Sequence, residues 1–392
     1  MSFQLNKRPE TLEWLTDGVT TMSVIQFEVD PGNRSISAHV QDTIYTLTPL
    51  WLRERCQDES HLDLITQQRL FNPHNLPADL AITDATSLPN GDLALVFSDG
   101  YRGIYKTDFF LPDFDFNDGL PAPVAWKSEI DKVHFQVDLD DLESELGLLD
   151  AIERFLKFGV IIISGVPNDR EAVTAVGKRF GHIRETNFGR YFEVFSRPDS
   201  NDLAYRSGAL SAHTDNPYRD PTPGIQLLHC LINETRGGLS TLVDSLAVLE
   251  QLKLEQPQGY ELLARVPVRY RHIDKEIELI TRQTIIQTDA MGQVVGVTYS
   301  PRLDYLPLMS AEDTQLFHRA RQRLGELFAD PEYRWEFSLR PGQVQMFHNS
   351  RVLHGRTEFD ANEGLRQLQG CYIDIDGPKG LYRLLKSGLR NV

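Results

Sequence analysis

Three side chains with metal-binding chemistry stand out in the sequence. His213 and Asp215 lie two residues apart, and His354 follows much later in the chain. Two imidazoles and one carboxylate can bind one face of an octahedral iron(II) ion and leave three coordination positions open. Open positions are where an oxygenase binds its oxidant, so these residues are candidates for a catalytic metal centre.

The His-x-Asp spacing is weak evidence by itself, because so short a motif recurs by chance in solvated loops. On a strand, however, residues i and i+2 face the same side, so His213 and Asp215 could point together into a barrel while Thr214 faces away. Arg366, twelve residues after His354, strengthens the pattern. A guanidinium binds a carboxylate in a bidentate manner, as the distal carboxylate of a 2-oxoglutarate cosubstrate requires.

Composition limits the classes of protein that need to be considered. The 392 residues are 41% hydrophobic and 24% charged, which is typical of a globular protein with a sizeable core. The net charge of -16 disfavours nucleic acid as a partner, since such binding depends on Lys and Arg. No run approaches the roughly 20 apolar residues of a membrane span, and residues 1–10 contain no apolar signal core. We therefore expect a cytoplasmic protein without membrane or nucleic-acid partners.

Residues 111–125 contain three prolines and one glycine without a helical or alternating period, which is typical of a linker. We expect residues 1–110 to form a small β-rich accessory domain, because short strand-like segments there are separated by Pro-Gly, Asn-Gly and Asp-Gly turns. The predicted strands are 24–29, 35–40, 93–97 and 103–105.

Residues 126–392 are predicted to form the second domain. Helices are expected at 145–158, 168–180 and 311–328, where apolar residues recur at helical spacing. Strands are expected at 159–164, 225–232, 241–243, 266–270, 284–287, 294–299, 344–347 and 367–375. Many short strands bounded by turn residues favour a double-sheet jelly roll over a parallel α/β sheet. The predicted fold class is therefore mainly β with flanking helices.

Several longer stretches carry a family resemblance. They are RETNFG (184–189), AY (204–205), HTD (213–215), PGIQLLHC (223–230), GGLSTLVD (237–244), RVLHGR (351–356) and RQLQGCY (366–372), with WLR (51–53) in the first domain. In these stretches the chain resembles the γ-butyrobetaine and trimethyllysine hydroxylases, within the taurine dioxygenase-like group of iron(II)- and 2-oxoglutarate-dependent dioxygenases.

The resemblance implies a double-stranded β-helix behind an N-terminal domain, assembled as a homodimer. It implies that His213, Asp215 and His354 bind iron(II), and that Arg366 and Ser240 hold 2-oxoglutarate. The implied reaction uses O2 to hydroxylate an unactivated C–H bond of a small trimethylammonium acid, with release of succinate and CO2.

The first departure from the family pattern concerns zinc. Members often carry three closely spaced cysteines and a later histidine that bind a structural zinc ion. Here the equivalent segment runs from Cys56 to His61, and Tyr101 stands at the later histidine position. Because one thiolate remains, a tetrahedral zinc site is improbable. We expect no zinc in the first domain.

The second departure concerns the substrate. In butyrobetaine hydroxylases, aromatic rings surround the trimethylammonium group, which cannot donate hydrogen bonds and binds ring faces instead. The matching positions are Phe188, Phe192, Asn216 and Tyr372, so an amide replaces one ring. Near the opposite pole, Asp202 stands beside Tyr205 where an asparagine is expected, and a carboxylate there would repel an acidic substrate end.

These changes leave several substrates open. If Asp202 faces the cation, then Asn216 and Arg302 face an anion, and their donors suit the tetrahedral oxyanion of a phosphonate. This interpretation favours hydroxylation of 2-(trimethylamino)ethylphosphonate to its 1-hydroxy product. The alternatives are γ-butyrobetaine hydroxylation in carnitine synthesis, a sulfonate dioxygenase of the same fold, and a non-catalytic binding protein on the same scaffold.

Overall fold

The structure is a computed structural model that describes residues 26–30, 35–40, 42–115, 117–195, 208–360, 362 and 364–388. The chain divides into two compact units, residues 1–119 and 120–392, each of which is described separately below. The predicted division into an accessory domain (1–110), a linker (111–125) and an oxygenase domain (126–392) is kept as a proposal.

The first unit contains two antiparallel three-stranded sheets, β1-β2-β3 and β4-β5-β6. In β5, Leu93, Leu95 and Phe97 alternate into the core, as expected for a strand with one buried face. Its elements are β1 (Gln26–Val29), β2 (Ile36–Val40), β3 (Thr43–Leu47), α1 (Pro49–Arg53), β4 (Ile82–Ser87), β5 (Leu93–Phe97) and β6 (Arg102–Tyr105).

The described part of the second unit contains six α-helices: α2 (Glu145–Phe158), α3 (Ala172–Lys178), α4 (Ser245–Glu255), α5 (Pro257–Arg265), α6 (Ala311–Ala329) and α7 (Asp376–Ser387). Helix α2 has the predicted bounds because both ends are marked in the sequence. The Ser144 hydroxyl accepts from the N–H of Gly147 at 3.0 Å, and Gly159 ends the helix at φ 74°, where a glycine adopts the left-handed conformation at little cost.

The strands of the second unit are β7 (Gln136–Asp138), β8 (Val160–Ser164), β9 (Ile183–Arg184), β10 (Phe192–Phe195), β11 (Leu210–His213), β12 (Ile225–Asn233), β13 (Ser240–Asp244), β14 (Val268–Ile273), β15 (Glu278–Gln283), β16 (Ile286–Thr288), β17 (Val294–Val297), β18 (Asp304–Tyr305), β19 (Arg334–Phe337), β20 (Val344–His348), β21 (Val352–Arg356) and β22 (Arg366–Ile373).

Two of the sheets face each other across one interior. The larger sheet has the order β10-β22-β12-β20-β8-β7 with β9 beside β22, and the smaller has the order β11-β21-β13-β19. Leu228 and Phe347 of the larger sheet share a buried cluster with Leu242 and Val352 of the smaller. Helices α2, α3 and α7 pack on the outer face of the larger sheet, and α4, α5 and α6 pack outside the smaller. The predicted jelly roll with flanking helices is confirmed for this unit.

Some details differ from the predictions. Residues 111–114 belong to a 3-10 helix, Thr107–Phe114, so the first part of the predicted linker is a short regular element. The elements that were not predicted are strands β3, β4, β7, β9, β10, β11, β15, β18, β19 and β21 and helices α1, α4, α5 and α7. Within the residues that the structure describes, no helix is both long and apolar enough to span a bilayer.

Candidate active site and metal centre

The two predicted histidine ligands lie side by side on neighbouring strands. His213 ends β11 and is paired in register with His354 in the middle of β21. Their ring centroids are 4.3 Å apart, and both side chains are buried in the interior. The pairing of β11 with β21 is irregular between Leu210 and His213, and such a bulge re-aims the side chain that follows it.

Asp215 reaches the histidines from a turn and not from the strand, so the expectation that His213 and Asp215 share one strand face was wrong. Strand β11 ends at His213. Thr214 is fully buried, and its hydroxyl donates to the carbonyl oxygen of Val297 and accepts from the N–H of Tyr299. Asn216 then takes a positive φ of 52°. This turn brings Asp215 Oδ1 to 3.1 Å from His213 Nε2 and 4.0 Å from His354 Nε2.

The three ligand groups fit one metal ion. One ligand atom from each of His213, Asp215 and His354 lies within 4.8 Å of the others. Neighbouring ligands at about 2.1 Å from an octahedral ion are about 3 Å apart, close to the shorter of the two distances from Asp215. His213 Nδ1 lies 2.9 Å from the carbonyl oxygen of Ser211, which suits donation from Nδ1 and leaves Nε2 for the metal.

The protonation states also suit metal binding, which needs neutral imidazoles and a carboxylate. Burial, the neighbouring His213 and the positive charge of Arg302 lower the pKa of His354 to about 3, although Asp215 opposes this. Burial acts to raise the pKa of Asp215, but the two imidazoles and the Tyr372 hydroxyl together hold it below its usual value. The Tyr372 hydroxyl donates to Asp215 Oδ2 at 2.9 Å, which leaves Oδ1 facing the histidines.

A second polar region of the interior contains two arginines. Arg366 begins β22, and Arg356 is the second residue after His354 on β21. Both guanidinium groups lie near the ring of Phe359, at 5.9 and 4.7 Å from its centroid. Ser240 on β13 is paired in register with Arg356 and is also buried. The structure therefore places the predicted pair Arg366 and Ser240 on two strands that face the same interior.

This region fits an anionic ligand. Arg366 Nε is buried and has no hydrogen-bond partner among the described residues. Burial, followed by the neighbouring charge of Arg356, lowers the pKa of Arg366 to about 10. A buried cation without an anion is unfavourable, and the distal carboxylate of 2-oxoglutarate would supply that anion through a bidentate contact.

Two of the predicted substrate residues, Phe192 and Tyr372, form a stacked pair. Their ring centroids are 5.2 Å apart at an interplanar angle of 28°. Phe192 lies over Gly370, where the Cβ of any other residue would clash with the ring. Burial and the Asp215 charge raise the pKa of Tyr372 well above 10, and the nearby Asn216 side chain partly offsets this. Tyr372 therefore stays a neutral hydrogen-bond donor.

Asn216 is oriented by its neighbours. The Tyr218 hydroxyl donates to Asn216 Oδ1, which leaves the buried Nδ2 without a hydrogen-bond partner in the described residues. Tyr218 in turn stacks on His272 with a centroid distance of 4.6 Å, and Phe188 meets the edge of the same imidazole at 6.2 Å. Phe188 is 39% exposed, whereas Tyr372 is buried.

The remaining predicted substrate residues lie at the periphery or outside the description. Arg302 is exposed, but its charge is close enough to contribute to the lowered pKa of His354. Asp202 and Tyr205 lie outside the described residues.

Sequence reasoning missed three residues of this interior. Arg356 could have been found by alternation, because it is two residues after His354 on one strand. Gln226 is paired in register with both Tyr372 and Phe347, is buried, and has no partner for Oε1 in the part of the chain that is described. Tyr218 could not have been found from sequence, since its contact with His272 spans distant segments.

The predicted absence of zinc from the first unit stays a prediction. Cys56, Asp58 and His61 do lie together, each with one ligand atom within 4.8 Å of the others. They also have protein partners. The Tyr101 hydroxyl donates to Asp58, and Arg53 Nη1 and Nη2 lie 3.5 Å from Cys56 Sγ and His61 Nε2, respectively. A guanidinium in that position would repel a metal cation. Elemental analysis of the purified protein would test this expectation.

Comparison with known proteins agrees with the geometry. The model of the taurine catabolism dioxygenase TauD, TfdA family matches residues 119–372. A gamma-butyrobetaine dioxygenase from Pseudomonas sp. (strain AK-1) is 32% identical over 340 residues, covering 83% of this chain and 87% of that protein. A trimethyllysine dioxygenase from Meyerozyma guilliermondii is 30% identical over 368 residues, covering 88% and 91%. A solved structure of PvcB, an Fe, alpha-ketoglutarate dependent oxygenase, covers 61% of this chain and 83% of its own, with 18% identity and a TM-score of 0.46.

The predicted enzyme class, a 2-oxoglutarate-dependent dioxygenase, is confirmed, as are iron(II) and 2-oxoglutarate as its cofactor and cosubstrate. The His213, Asp215 and His354 cluster and the buried Arg366 are the parts of the chain that fit these groups. The chain belongs to the taurine catabolism dioxygenase TauD, TfdA family.

Proposed function

We propose that this enzyme hydroxylates a small zwitterion that carries a trimethylammonium group, and that the substrate is 2-(trimethylamino)ethylphosphonate, converted to its 1-hydroxy product. One atom of O2 enters the substrate C–H bond and the other enters succinate, while 2-oxoglutarate loses CO2. Iron and 2-oxoglutarate supply the oxidising chemistry. The chain binds and orients the substrate and keeps water from the reacting carbon.

One observation carries the proposal for the cation. Tyr372 stacks on Phe192 and also donates a hydrogen bond to the metal ligand Asp215. A trimethylammonium group held on the face of this aromatic pair would therefore lie close to the metal. We assign Asp202 and Tyr205 to the same substrate site from the family resemblance alone.

The anionic end is assigned to Asn216 and Arg302. The Asn216 Nδ2 donor is buried with no partner in the described residues, and the Tyr218 hydroxyl fixes the orientation of the amide. Arg302 adds a positive charge near the metal centre. A guanidinium and an amide donor together suit an oxyanion with three acceptor oxygens.

The second candidate is γ-butyrobetaine, supported by the relative at 32% identity that is named for this substrate. The same aromatic pair would bind its trimethylammonium group, and Arg302 would bind its carboxylate. The two candidates differ in the anion, so Arg302 and Asn216 are the residues that would distinguish them.

A substrate panel tests the proposal. The enzyme with iron(II), 2-oxoglutarate and O2 is offered the phosphonate, γ-butyrobetaine, trimethyllysine or taurine, and both succinate and a gain of one oxygen are measured by mass spectrometry. We expect the phosphonate to give the highest kcat/KM. Preference for γ-butyrobetaine would select the second candidate, and turnover of taurine without any quaternary amine would refute both.

Arg302→Ala tests the anion assignment. Loss of a charge-assisted hydrogen bond costs about 1.5 to 3 kcal/mol, so kcat/KM for the phosphonate should fall by about 10- to 100-fold. Binding of 2-oxoglutarate should not change. Arg319→Ala, which removes an exposed arginine from α6, is the matched control. The role of Arg302 would be contradicted if phosphonate turnover and 2-oxoglutarate binding were both weakened equally, or if both were unchanged.

The homodimer and the cytoplasmic location that the resemblance implies stay predictions. Light scattering of the purified protein would test the first, and fractionation of the source cells would test the second.

A further inference from the structure

Asn349 lies between β20 and β21 and is fully buried. Its Oδ1 accepts from the N–H of Asp215 at 2.9 Å, and its Nδ2 donates to the carbonyl oxygens of Asp215 and Pro223, each at 2.9 Å. Its own N–H donates to the carbonyl oxygen of Gly224 at 2.9 Å. A single residue therefore joins the two ends of the segment 215–224, which we call the 215–224 loop.

Asp215 is constrained at every polar group. Its N–H donates to Asn349 Oδ1, and its carbonyl oxygen accepts from Asn349 Nδ2. Its Oδ2 accepts from the Tyr372 hydroxyl, and its Oδ1 faces the two histidines. The two bonds to Asn349 fix the peptide groups on both sides of the Asp215 Cα. They therefore fix the direction in which the carboxylate leaves the backbone.

The same loop carries Asn216, which is assigned to the substrate anion, and Tyr218, whose hydroxyl donates to Asn216 Oδ1. Asn216 and Tyr218 follow Asp215 directly, and the N–H of Arg219 donates to the Asn216 carbonyl oxygen at 3.1 Å. Asn349 also lies five residues before His354, in the segment that leads into β21. Movement of the loop relative to this segment would displace the Asp215 ligand and the Asn216 donor together.

We propose that Asn349 is a positioning residue that holds the metal ligand Asp215 and the substrate-facing Asn216 in one arrangement with His354. The part that concerns Asn216 rests on the proposed function, whereas the part that concerns Asp215 does not. A purely structural Asn349 would stabilise the fold without affecting the affinity of folded protein for metal.

Metal binding tests the first part. Mn²⁺ is titrated into the metal-free full-length protein, and free Mn²⁺ is measured by electron paramagnetic resonance. Groups that orient metal ligands change metal affinity by about 10- to 100-fold when removed, and we expect a rise of this size in Kd for Asn349→Ala. Asn349→Asp keeps the volume and the acceptor for the Asp215 N–H but loses both donors, so it should also weaken Mn²⁺ binding.

Gln369→Leu is the matched control. Gln369 is also fully buried, and its Oε1 accepts from the N–H of Glu171 at 2.6 Å. Because side chains alternate along β22, Gln369 lies on the face opposite to that of Tyr372. We expect it to lower Tm without changing the Kd for Mn²⁺. The proposal is refuted if an Asn349 variant behaves as Gln369→Leu is expected to. In that outcome, Asn349→Ala or the folded Asn349→Asp lowers Tm but binds Mn²⁺ with the Kd of the wild type.

A double-mutant cycle tests the second part. Asn349→Ala should raise the substrate KM several-fold in the wild type and by much less in an Asn216→Ala background, because the displaced donor is already absent there. Additive effects would refute the link to Asn216. If none of the trimethylammonium compounds is turned over, the proposed function fails, but the Mn²⁺ titration still decides the role toward Asp215.

Discussion

Replacing Arg366 by methionine should make the ligand-free protein more stable, although the residue is buried and charged. Arg366 Nε has no hydrogen-bond partner among the described residues, and Arg356 lies nearby with the same charge. Arg351 is the matched control, because it is also buried but is paired with Asp244, at 3.2 Å from Nε to Oδ1 and 3.1 Å from Nη2 to Oδ2.

The magnitude follows from the pKa. Burial and the charge of Arg356 lower the pKa of Arg366 to about 10, well below that of a guanidinium in water. At about 1.4 kcal/mol per pKa unit, the charged form costs roughly 3 kcal/mol in the folded state. Because this pKa is lowered, the destabilisation is fully present at neutral pH, well below about 10. A domain of this size gains roughly 2 to 4 °C in Tm per kcal/mol, so Arg366→Met should raise Tm by about 6 to 12 °C.

The assay is thermal unfolding of each variant with and without 2-oxoglutarate, with Mn²⁺ in place of iron. A ligand at one hundred times its Kd stabilises the wild type by about 2.7 kcal/mol. Arg366→Met should lose most of this gain, because the distal carboxylate would lose its bidentate guanidinium partner. Arg351→Met should lower Tm in both conditions, since an unpaired buried Asp244 costs about 3 to 5 kcal/mol.

Two results would refute this reasoning. If Arg366→Met melts as far below the wild type as Arg351→Met does, the Arg366 guanidinium stabilises the fold itself. If 2-oxoglutarate raises the Tm of Arg366→Met as much as that of the wild type, the cosubstrate carboxylate binds elsewhere.

Three further predictions concern the same unit. Tyr372→Phe keeps the ring on Phe192 but removes the hydrogen bond to Asp215, the proposed metal ligand, so the Kd for Mn²⁺ should rise by about 10- to 100-fold in titration; an unchanged Kd would contradict this prediction. Gly370→Ala places a methyl group against Phe192, so the KM for a trimethylammonium substrate should rise while Mn²⁺ binding is unaffected; a KM that stays constant would show that the ring does not contact substrate. Burial lowers the pKa of His229 from 6.5 to about 4. Between pH 6.5 and pH 4 only the unfolded chain takes up a proton at this residue, so the free energy of unfolding should fall by up to about 3 kcal/mol over that range. In denaturant unfolding at pH 7 and 4.5, His229→Leu should show a smaller change in the free energy of unfolding than the wild type does. An equal change in both proteins would refute this prediction.

Local signals in the sequence predicted those regular elements whose periodicity and end signals lie within one short segment. Helix α2 was predicted with its observed bounds because its apolar period, its Ser144 cap and its Gly159 terminus all lie within one short segment. Strands β11 and β21 were missed for a related reason. Their inward positions carry His213, His354 and Arg356, so the strands that line the site lack the apolar alternation used to recognise strands.

The sequence by itself determined which side chains can do the chemistry: two imidazoles, one carboxylate, the arginine for an anion and the aromatic residues for a quaternary cation. Only the tertiary structure decided which of them meet. The register of β11 on β21 places His213 beside His354, and Asn349 joins Asp215 to Pro223 from 134 and 126 residues away. Local periodicity encodes which face of an element is buried, whereas contacts between distant segments depend on strand order and register, which arise only when the whole sheet pairs.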